Sequence, residues 1–245
     1  MTELFDKSGG YRRLDSFTLA TLVQLATLRF CERFLNRTND PCGRQYDQMT
    51  QAARSGRSNI IEGSERASTS KETEMKLTDV ARASLAELRG DYEIWILSRQ
   101  KLPWKKMSPE AQAVYNTRLD KPNFTDDWLY ESAVHLFEQQ KKFAPWLESD
   151  DSLVIANAML IVIGRVLNML EHQLHAQGEA FKRDGGFRER ATTVRVEARN
   201  PEAPECPVCG KPMARRKAST GKHAGEAFWG CTGYPQCTAT RKVEE

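Results

Sequence analysis

The chain has 245 residues, of which 40% are hydrophobic, and this composition predicts a soluble globular protein with one sizeable core and a small second module. The net charge of +3 is uneven: residues 1–181 carry 23 Lys/Arg against 25 Asp/Glu, and residues 182–245 carry 13 against 8. No apolar stretch follows the charged start MTELFDKSGGYRR, so we expect no secretory signal. The longest apolar run, 153–163, is shorter than the roughly 20 residues that span a bilayer, so we expect a buried core helix and no membrane contact. Six cysteines without a visible signal peptide favour the reducing cytoplasm.

The first 181 residues predict an all-α domain, an antiparallel four-helix bundle with an inserted helical region at about 103–148. The first helix, 14–34, is apolar on more than one side. Such a helix buries two faces, so one of them is a candidate contact with another subunit. This pattern is a hint of a homo-oligomer.

The second and third helices predict a closely packed pair. The inner stripe of the second helix comprises Met49, Ala52, Ala53, Gly56 and Ile60. Its small side chains allow a neighbouring helix to approach, and Gly63 is expected to cap its end. Thr69 and Glu72 predict a capping box at the start of the third helix. The predicted seam of that helix comprises Leu77, Val80, Ala81, Ser84, Leu85, Leu88, Tyr92 and Trp95.

Prolines divide the next region into short helices. Ser108 and Thr125 are predicted N-caps of helices at about 109–119 and 126–143, and a last long helix is expected at about 152–181. Strand-like alternation is confined to TTVRVEA, near residue 195, and to the tail. We expect residues 182–204 to form a flexible basic linker, which either raises nucleic-acid affinity or is a solvated tether.

The segments DQMTQAARSGRSNIIEGS and TSKETEMKLTDVARASLAEL, within residues 44–100, resemble the four-helix-bundle family encoded in intervening sequences of bacterial 23S ribosomal RNA genes. The bundle motif comprises Asp47, Gln48, Arg54, Asn59, Glu62 and Gly63, and further matches are Ala52, Ala53, Ser55, Ile60, Ser84, Leu85, Glu87 and Leu88. The resemblance implies a ring-like homo-oligomer, a pentamer. The family includes accessory proteins of diversity-generating retroelements, which implies nucleic acid and a reverse transcriptase as partners.

Four cysteines of the tail have metal-ligand spacing. Cys206 and Cys209 form a CxxC pair, and Cys231 and Cys237 form a second pair. Four thiolates in two pairs predict one structural Zn²⁺ per chain in a closed tetrahedral site, whose binding energy supports a very small fold. Buried free cysteines or a redox pair are the alternatives, and His223 is a possible substitute ligand. Cys31 and Cys42 are expected to be ordinary thiols.

The tail, CPVCGKPM followed by a basic loop and FWGCTGYPQC, resembles the C4 zinc ribbon at the carboxyl end of bacterial type I topoisomerases. The resemblance implies a zinc-ribbon domain at 205–245 that binds single-stranded DNA. Cations that contact phosphates and rings that stack on bases suit the same function. The candidate nucleic-acid-binding residues are Lys211, Arg215, Arg216, Lys217, Lys222, Phe228, Trp229, Tyr234, Arg241 and Lys242. A protein-docking ribbon is the alternative.

We expect no catalysis. The sequence has no GxGxxG, GKS/GKT or GxSxG motif, and His172 and His175 lack an HExxH pattern. The sequence therefore predicts a non-catalytic, oligomeric protein whose ribbons bind DNA, with RNA as a further ligand, and with little sequence specificity. The alternative is an accessory or scaffold subunit of a reverse transcriptase or another nucleic-acid enzyme, which binds protein and RNA.

Overall fold

The computed structural model describes residues 10–199, 203–221 and 223–243. They divide into two compact units, a body over Lys7–Lys182 and a second unit that includes Arg183–Glu245. The body contains the 3₁₀ turn Gly10–Arg13 and the helices α1 (Asp15–Phe34), α2 (Arg44–Arg66), α3 (Lys71–Leu97), α4 (Pro109–Asn116), α5 (Trp128–Leu147) and α6 (Ser152–Asp184). The chain is therefore mostly helical, as predicted.

Helices α2 and α3 form an antiparallel pair. A Cβ added to Gly56 would lie 2.5 Å from Leu85 Cγ, and one added to Gly63 would lie 3.7 Å from Thr78 Oγ1. Because the later residue of α2 lies against the earlier residue of α3, the two helices run in opposite directions. The absence of a side chain at Gly56 allows the close approach that the small-residue stripe predicted.

Two predicted helix ends in this pair were wrong. Gly63 is not a cap, since it lies inside α2 and is buried. Ser70, rather than Thr69, is the N-cap of α3, because its side chain accepts a hydrogen bond from Thr73 N. Thr69 Oγ1 donates instead to the carbonyl of Arg66, at the end of α2. The two hydroxyl residues are adjacent in sequence, and only their hydrogen-bond partners show which one caps the helix.

Helix α1 is covered by its own chain. Tyr92 of α3 donates a buried hydrogen bond to Thr27 Oγ1, at 3.0 Å. Arg29 forms an ion pair with Glu148, next to the end of α5. The buried residues of α1 are Ser16, Phe17, Thr18, Leu19, Ala20, Thr21, Leu22, Val23, Ala26, Thr27, Phe30 and Cys31. Its two apolar faces therefore contact other helices of the body, and they do not by themselves indicate a second subunit.

The inserted region packs onto the same core through Val114 of α4 and Phe143 of α5, which are both fully buried. Ser108 caps α4 by accepting a hydrogen bond from Ala111 N, as predicted. The predicted N-cap Thr125 was wrong, because Asp127 caps α5. The prediction that Val80 lies in the seam of α3 was also wrong, since 47% of the surface of this residue is exposed.

Helix α6 supplies one side of the body core. A stretch that begins in this helix is long and apolar enough to cross a membrane, by length and composition alone, and half of its most apolar part is buried. The buried residues include Ile155, Met159, Val162 and Val166, at helical spacing. The apolar run 153–163 therefore contributes to the body core.

The second unit contains helix α7 (Phe187–Arg199) and the strands β1 (Met213–Lys217), β2 (Ala227–Cys231) and β3 (Thr240–Lys242). The strands form an antiparallel sheet in the order β1-β2-β3. The strand-like prediction for TTVRVEA was wrong, since this segment lies in α7. The half-buried residues Phe187, Ala191 and Val194 follow a helical period instead. The linker expected to be flexible over 182–204 thus contains a helix.

Candidate metal centre and nucleic-acid interface

The four cysteines of the tail converge on one point. Their sulfur atoms all lie within 4.8 Å of one another. Cys206 and Cys237 have a sulfur–sulfur distance of 3.7 Å, and Cys209 and Cys231 have one of 3.4 Å. A tetrahedral site with zinc–sulfur bonds of about 2.3 Å places its sulfurs about 3.8 Å apart. The donor set and its spacing therefore fit zinc.

Two tight turns position these thiols. In the first, Gly210 has a φ of +71°, and its N–H donates to the carbonyl of Cys206 at 2.9 Å. In the second, the N–H of Gly233 donates to Cys231 Sγ at 3.2 Å. A Cβ added to Gly233 would lie 3.3 Å from that sulfur, so a glycine there leaves room beside the metal ligand. The Gly residues that follow the cysteines thus shape the site.

The surroundings of the thiols affect their protonation. Backbone hydrogen bonds from Val208 and Cys209 lower the pKa of Cys206 to about 7. Burial raises the pKa of Cys231 to about 12. Because zinc binds thiolates, a metal has to displace a proton from the buried Cys231 sulfur. Binding is therefore expected to weaken as the pH falls.

Cys206, Cys209, Cys231 and Cys237 form a C4 zinc-binding site, consistent with one structural Zn²⁺. His223 lies outside this group, because it is exposed and its Nδ1 is 2.9 Å from Glu226 Oε2. Among the described residues, Cys31 is buried in the body and Cys42 is exposed there. Neither belongs to the group of four cysteines.

The sheet of the ribbon carries two cross-strand rows. In the Phe228 row, Arg216 pairs with Phe228 and Phe228 pairs with Lys242; in the Trp229 row, Arg215 pairs with Trp229 and Trp229 pairs with Arg241. Directly paired residues share a face of a sheet, and successive residues of a strand lie on opposite faces. The predicted interface is therefore divided between the two faces.

In the Phe228 row, a ring and a cation lie beside a bare backbone position. A Cβ added to the buried Gly230 would lie 3.1 Å from Arg216 Cδ and 3.3 Å from Phe228 Cε2. Arg216 and Lys242 are exposed, and Phe228 is half-buried. The sequence pattern did not single out Gly230, which lies beside two of the predicted contact residues. The signal was its position two residues after Phe228 in FWGC, because alternate residues of a strand share a face.

In the Trp229 row, the ring has a structural role. Trp229 packs against the buried cluster of Cys206, Met213 and Cys231, which contains two metal ligands. Arg215 and Arg241 are exposed on either side of it. This row therefore covers the metal centre with part of its aromatic surface.

The other predicted contacts lie around the sheet. Tyr234 is 65% exposed in the turn before Cys237. Lys211 and Lys217 are also exposed. Lys222 lies outside the described residues. The structure thus leaves the described residues of this set accessible to a ligand.

The six residues of the bundle motif all lie on α2. Asp47, Gln48, Arg54 and Glu62 are exposed, and Gly63 is buried. Another member, Asn59, donates to the carbonyl of Ser55 at 2.8 Å, within α2. Among the described residues, Glu62 makes no hydrogen bond to a neighbouring helix. His172 and His175 are exposed on α6.

Comparison with known protein families supports the predicted zinc ribbon of the tail. Residues 203–245 match a family model described as the topoisomerase DNA-binding C4 zinc finger, so the predicted resemblance of this part is confirmed. The match covers less than half of the chain. No curated protein and no solved structure matched the chain. These comparisons give no evidence for the intervening-sequence family over residues 44–100.

Proposed function

We propose that this is a non-catalytic nucleic-acid-binding protein whose zinc ribbon binds DNA, mainly single-stranded, with little sequence specificity. The Phe228 row is the observation that carries the proposal, because it combines a half-exposed ring with two exposed cations on one face. The description of the matching family as DNA-binding supports the same ligand. RNA is a further ligand of the same chemistry.

The preference for a single strand follows from the ring. An aromatic side chain stacks on an unpaired base, at about 1–3 kcal/mol per base, whereas paired bases in a duplex are already stacked. Arg216 and Lys242 would contact phosphates, and such contacts make affinity depend on salt rather than on sequence. The tail is also the basic part of the chain, which favours encounter with a polyanion.

The absence of catalysis is part of the proposal. The candidate catalytic histidines, His172 and His175, are on the surface, and the cysteines of the tail serve a structural metal. We place the protein in the cytoplasm, since reducing conditions keep thiolates free to bind zinc. Zinc-loaded protein that hydrolyses or joins no DNA or RNA substrate would agree with this proposal, and cleavage or ligation would contradict it.

Homo-oligomerisation is a further part of the proposal, with an antiparallel four-helix bundle as the assembling body and a pentamer as the state implied by the resemblance. An exposed apolar stripe on α5 supports self-association. It consists of Leu129, Tyr130, Val134 and Phe137, with Phe137 63% exposed. Several ribbons on one assembly would multiply a weak individual affinity. Light scattering of wild-type protein and of Phe137→Glu tests whether the α5 stripe mediates self-association. Ile94→Glu on α3 is the control.

A second candidate is an accessory or scaffold subunit of a reverse transcriptase or another nucleic-acid enzyme, with RNA bound as well. The α5 stripe favours it too, because exposed apolar surface of this kind is typical of protein–protein contacts. Wild-type protein should then bind the purified enzyme, and Phe137→Glu should not. A strictly monomeric protein that retains this contact would favour the accessory function over the oligomer.

Fluorescence anisotropy tests the main proposal. Labelled single-stranded DNA, duplex DNA and structured RNA are titrated at two salt concentrations with the full chain and with a chain that ends at Phe181. We expect tight, salt-sensitive binding of the single strand by the full chain and its loss on truncation. Equal binding by the truncated chain would move the site to the helices, and absence of binding by both would contradict the proposal.

A further inference from the structure

A groove in the body combines cations with apolar surface. It encloses about 670 Å³ between α3, the inserted region and α6. This volume lies in the usual range of small-molecule sites, about 300–1,000 Å³. Its lining includes Trp104 and Tyr115 from the insertion and Leu160, Ile161 and Gly164 from α6.

Among the residues that the structure describes, three cations and no carboxylate line this groove. They are Arg89 of α3, Lys106 of the insertion and Arg165 of α6. Arg89 and Lys106 are exposed, and in the described part of the chain none of the three forms an ion pair. A concave surface with one sign of charge concentrates ions of the opposite sign.

Arg165 is the least solvated of the three cations that line the groove. Its guanidinium is half-buried, and burial lowers its pKa. Its neighbours are the carbonyl of Val114, at 3.4 Å, and the ring of Phe143, at 5.7 Å. The carboxyl of Asp15 also favours the charged form of Arg165, but among the described residues the two form no ion pair. Since a partly desolvated cation gains most from a directly bound charged acceptor, a phosphate in the groove would compensate Arg165 better than the carbonyl and the ring do.

The walls of the groove are held in place. Trp104 N donates to the buried Asn157 of α6 at 2.7 Å, which fixes the start of the insertion against the core. Gln112 Nε2 donates to the carbonyl of Lys106 at 2.7 Å, which fixes the following turn. A preformed site needs less ordering when a ligand binds.

We propose that this groove binds a small organic anion with a flat ring, a nucleoside phosphate, with the phosphates on the cations and the ring against the apolar wall. Guanidinium and ammonium groups bind phosphate, and Trp104 and Tyr115 offer aromatic surface to a planar base. This site is separate from the ribbon and goes beyond its proposed binding of nucleic acid strands.

Isothermal titration calorimetry of the zinc-loaded full chain tests the site. The probes are ATP, adenosine and inorganic tripolyphosphate, in low-salt buffer without divalent cations. We expect ATP to bind with a Kd below about 1 mM and the other two probes to bind at least about tenfold more weakly, because each lacks one half of the interaction. Equal binding of ATP and tripolyphosphate would overturn the proposal, since it would show attraction of charge alone.

Gly164→Leu would fill part of the groove with an apolar side chain. A Cβ at Gly164 has no atom within 4 Å, and the position is in a helix, where leucine is more favourable than glycine. We expect ATP binding to be lost while the Tm does not fall. Retained ATP affinity in this folded variant would place the ligand elsewhere.

A pair of matched double variants separates the groove from general charge. Arg89→Ala/Lys106→Ala removes two exposed cations of the groove, and Lys76→Ala/Lys141→Ala removes two exposed cations elsewhere on the body. We expect at least about a tenfold loss of ATP affinity in the first and less than about twofold in the second.

The ribbon variant Arg216→Ala/Phe228→Ala distinguishes this proposal from the function of the tail. ATP affinity should be unchanged in that variant, whether or not the ribbon binds DNA. If ATP does not bind wild-type protein but Arg89→Ala/Lys106→Ala weakens binding of single-stranded DNA, the groove contacts a strand and the nucleotide proposal is wrong.

Discussion

The body and the ribbon differ in what holds them together. Large fully buried side chains of the body, such as Phe17, Phe30 and Tyr92, belong to a core to which all six helices α1 to α6 contribute. The described part of the ribbon buries a cluster of Cys206, Met213 and Cys231, two of which are metal ligands. Apolar burial therefore stabilises the body, whereas the ribbon depends on its metal.

The proposed binding of single-stranded DNA therefore lies in the part of the molecule whose fold depends on the metal. The ribbon orients its cross-strand rows through β2, whose last residue, Cys231, is a zinc ligand. Loss of zinc should thus remove the binding face without affecting the body. The following variants are arranged from the largest expected effect to the smallest.

Removal of zinc should unfold the ribbon alone. Apparent zinc-binding free energies in small zinc modules are about 10–16 kcal/mol near neutral pH, so Cys231→Ser or a strong chelator should abolish the fold of residues 203–243. Limited proteolysis with mass spectrometry measures this as new cleavage in the tail, while far-UV circular dichroism of the helices changes little.

Cys42→Ser is the matched control, because Cys42 is an exposed free cysteine of the body. It should change neither zinc content nor proteolysis. The zinc content of wild-type protein should also fall as the pH is lowered, since protons compete for the Cys231 sulfur, whose pKa is raised to about 12 by burial. A ribbon that resists proteolysis without zinc would contradict the comparison.

Gly56→Ala should destabilise the body and leave the ribbon unchanged. The added Cβ would lie 2.5 Å from Leu85 Cγ, so α2 and α3 have to separate or Leu85 has to shift. Overpacking of this kind costs about 1–3 kcal/mol. Urea unfolding followed by circular dichroism measures the change.

Gly90→Ala is the control for that variant. A Cβ at Gly90 meets no atom within 4 Å, and alanine is favoured over glycine in a helix by about 1 kcal/mol. It should stabilise the body slightly. Equal free energies of unfolding for the two variants would show that the close contact at Gly56 has no energetic role.

Glu148→Gln should have the smallest effect. Hydrogen bonds from Gln140 and from Arg29 lower the pKa of Glu148. A carboxylate whose pKa is lower in the folded protein stabilises it above the unfolded pKa, and that contribution is lost as the pH falls through the folded value. Because Glu148 is substantially exposed, we expect the variant to be less stable than wild-type protein by about 0.5 kcal/mol at neutral pH. This difference between the two proteins should become smaller in acid.

Glu138→Gln, which removes another exposed partner of a cation, is the comparison variant for the loss of a surface carboxylate. Thermal unfolding between neutral and acidic pH compares the three proteins. An acid profile of Glu148→Gln that coincides with that of wild-type protein would show that the Arg29 and Gln140 contacts do not contribute.

The sequence was informative where spacing alone determines structure. The CxxC pair and the later pair predicted the metal site, because ligand spacing in a small ribbon follows from the turns that contain the ligands. Met49 and Ile60 were predicted in the inner stripe of α2 and are buried there. These features depend on local geometry and helical period.

The sequence was less informative where the structure depends on contacts between segments that are distant in sequence. TTVRVEA alternates like a strand, yet Val194 and Ala191 also follow the helical period of α7. The division of Phe228 and Trp229 between two faces depends on the register of three strands. The groove around Arg165 needs α3, α6 and the insertion together, so no single segment could predict it.

The most direct test of the central claim compares the two rows of the ribbon. Arg216→Ala/Lys242→Ala and Arg215→Ala/Arg241→Ala remove the same charge from opposite faces, and anisotropy measures their affinity for labelled single-stranded DNA over a range of salt concentrations. We expect the first to bind at least about tenfold more weakly, with a salt slope smaller by about 1.4 for two lost phosphate contacts, and the second to lose less than about threefold. Equal losses, or a larger loss in the second variant, would contradict the assignment of binding to the Phe228 row.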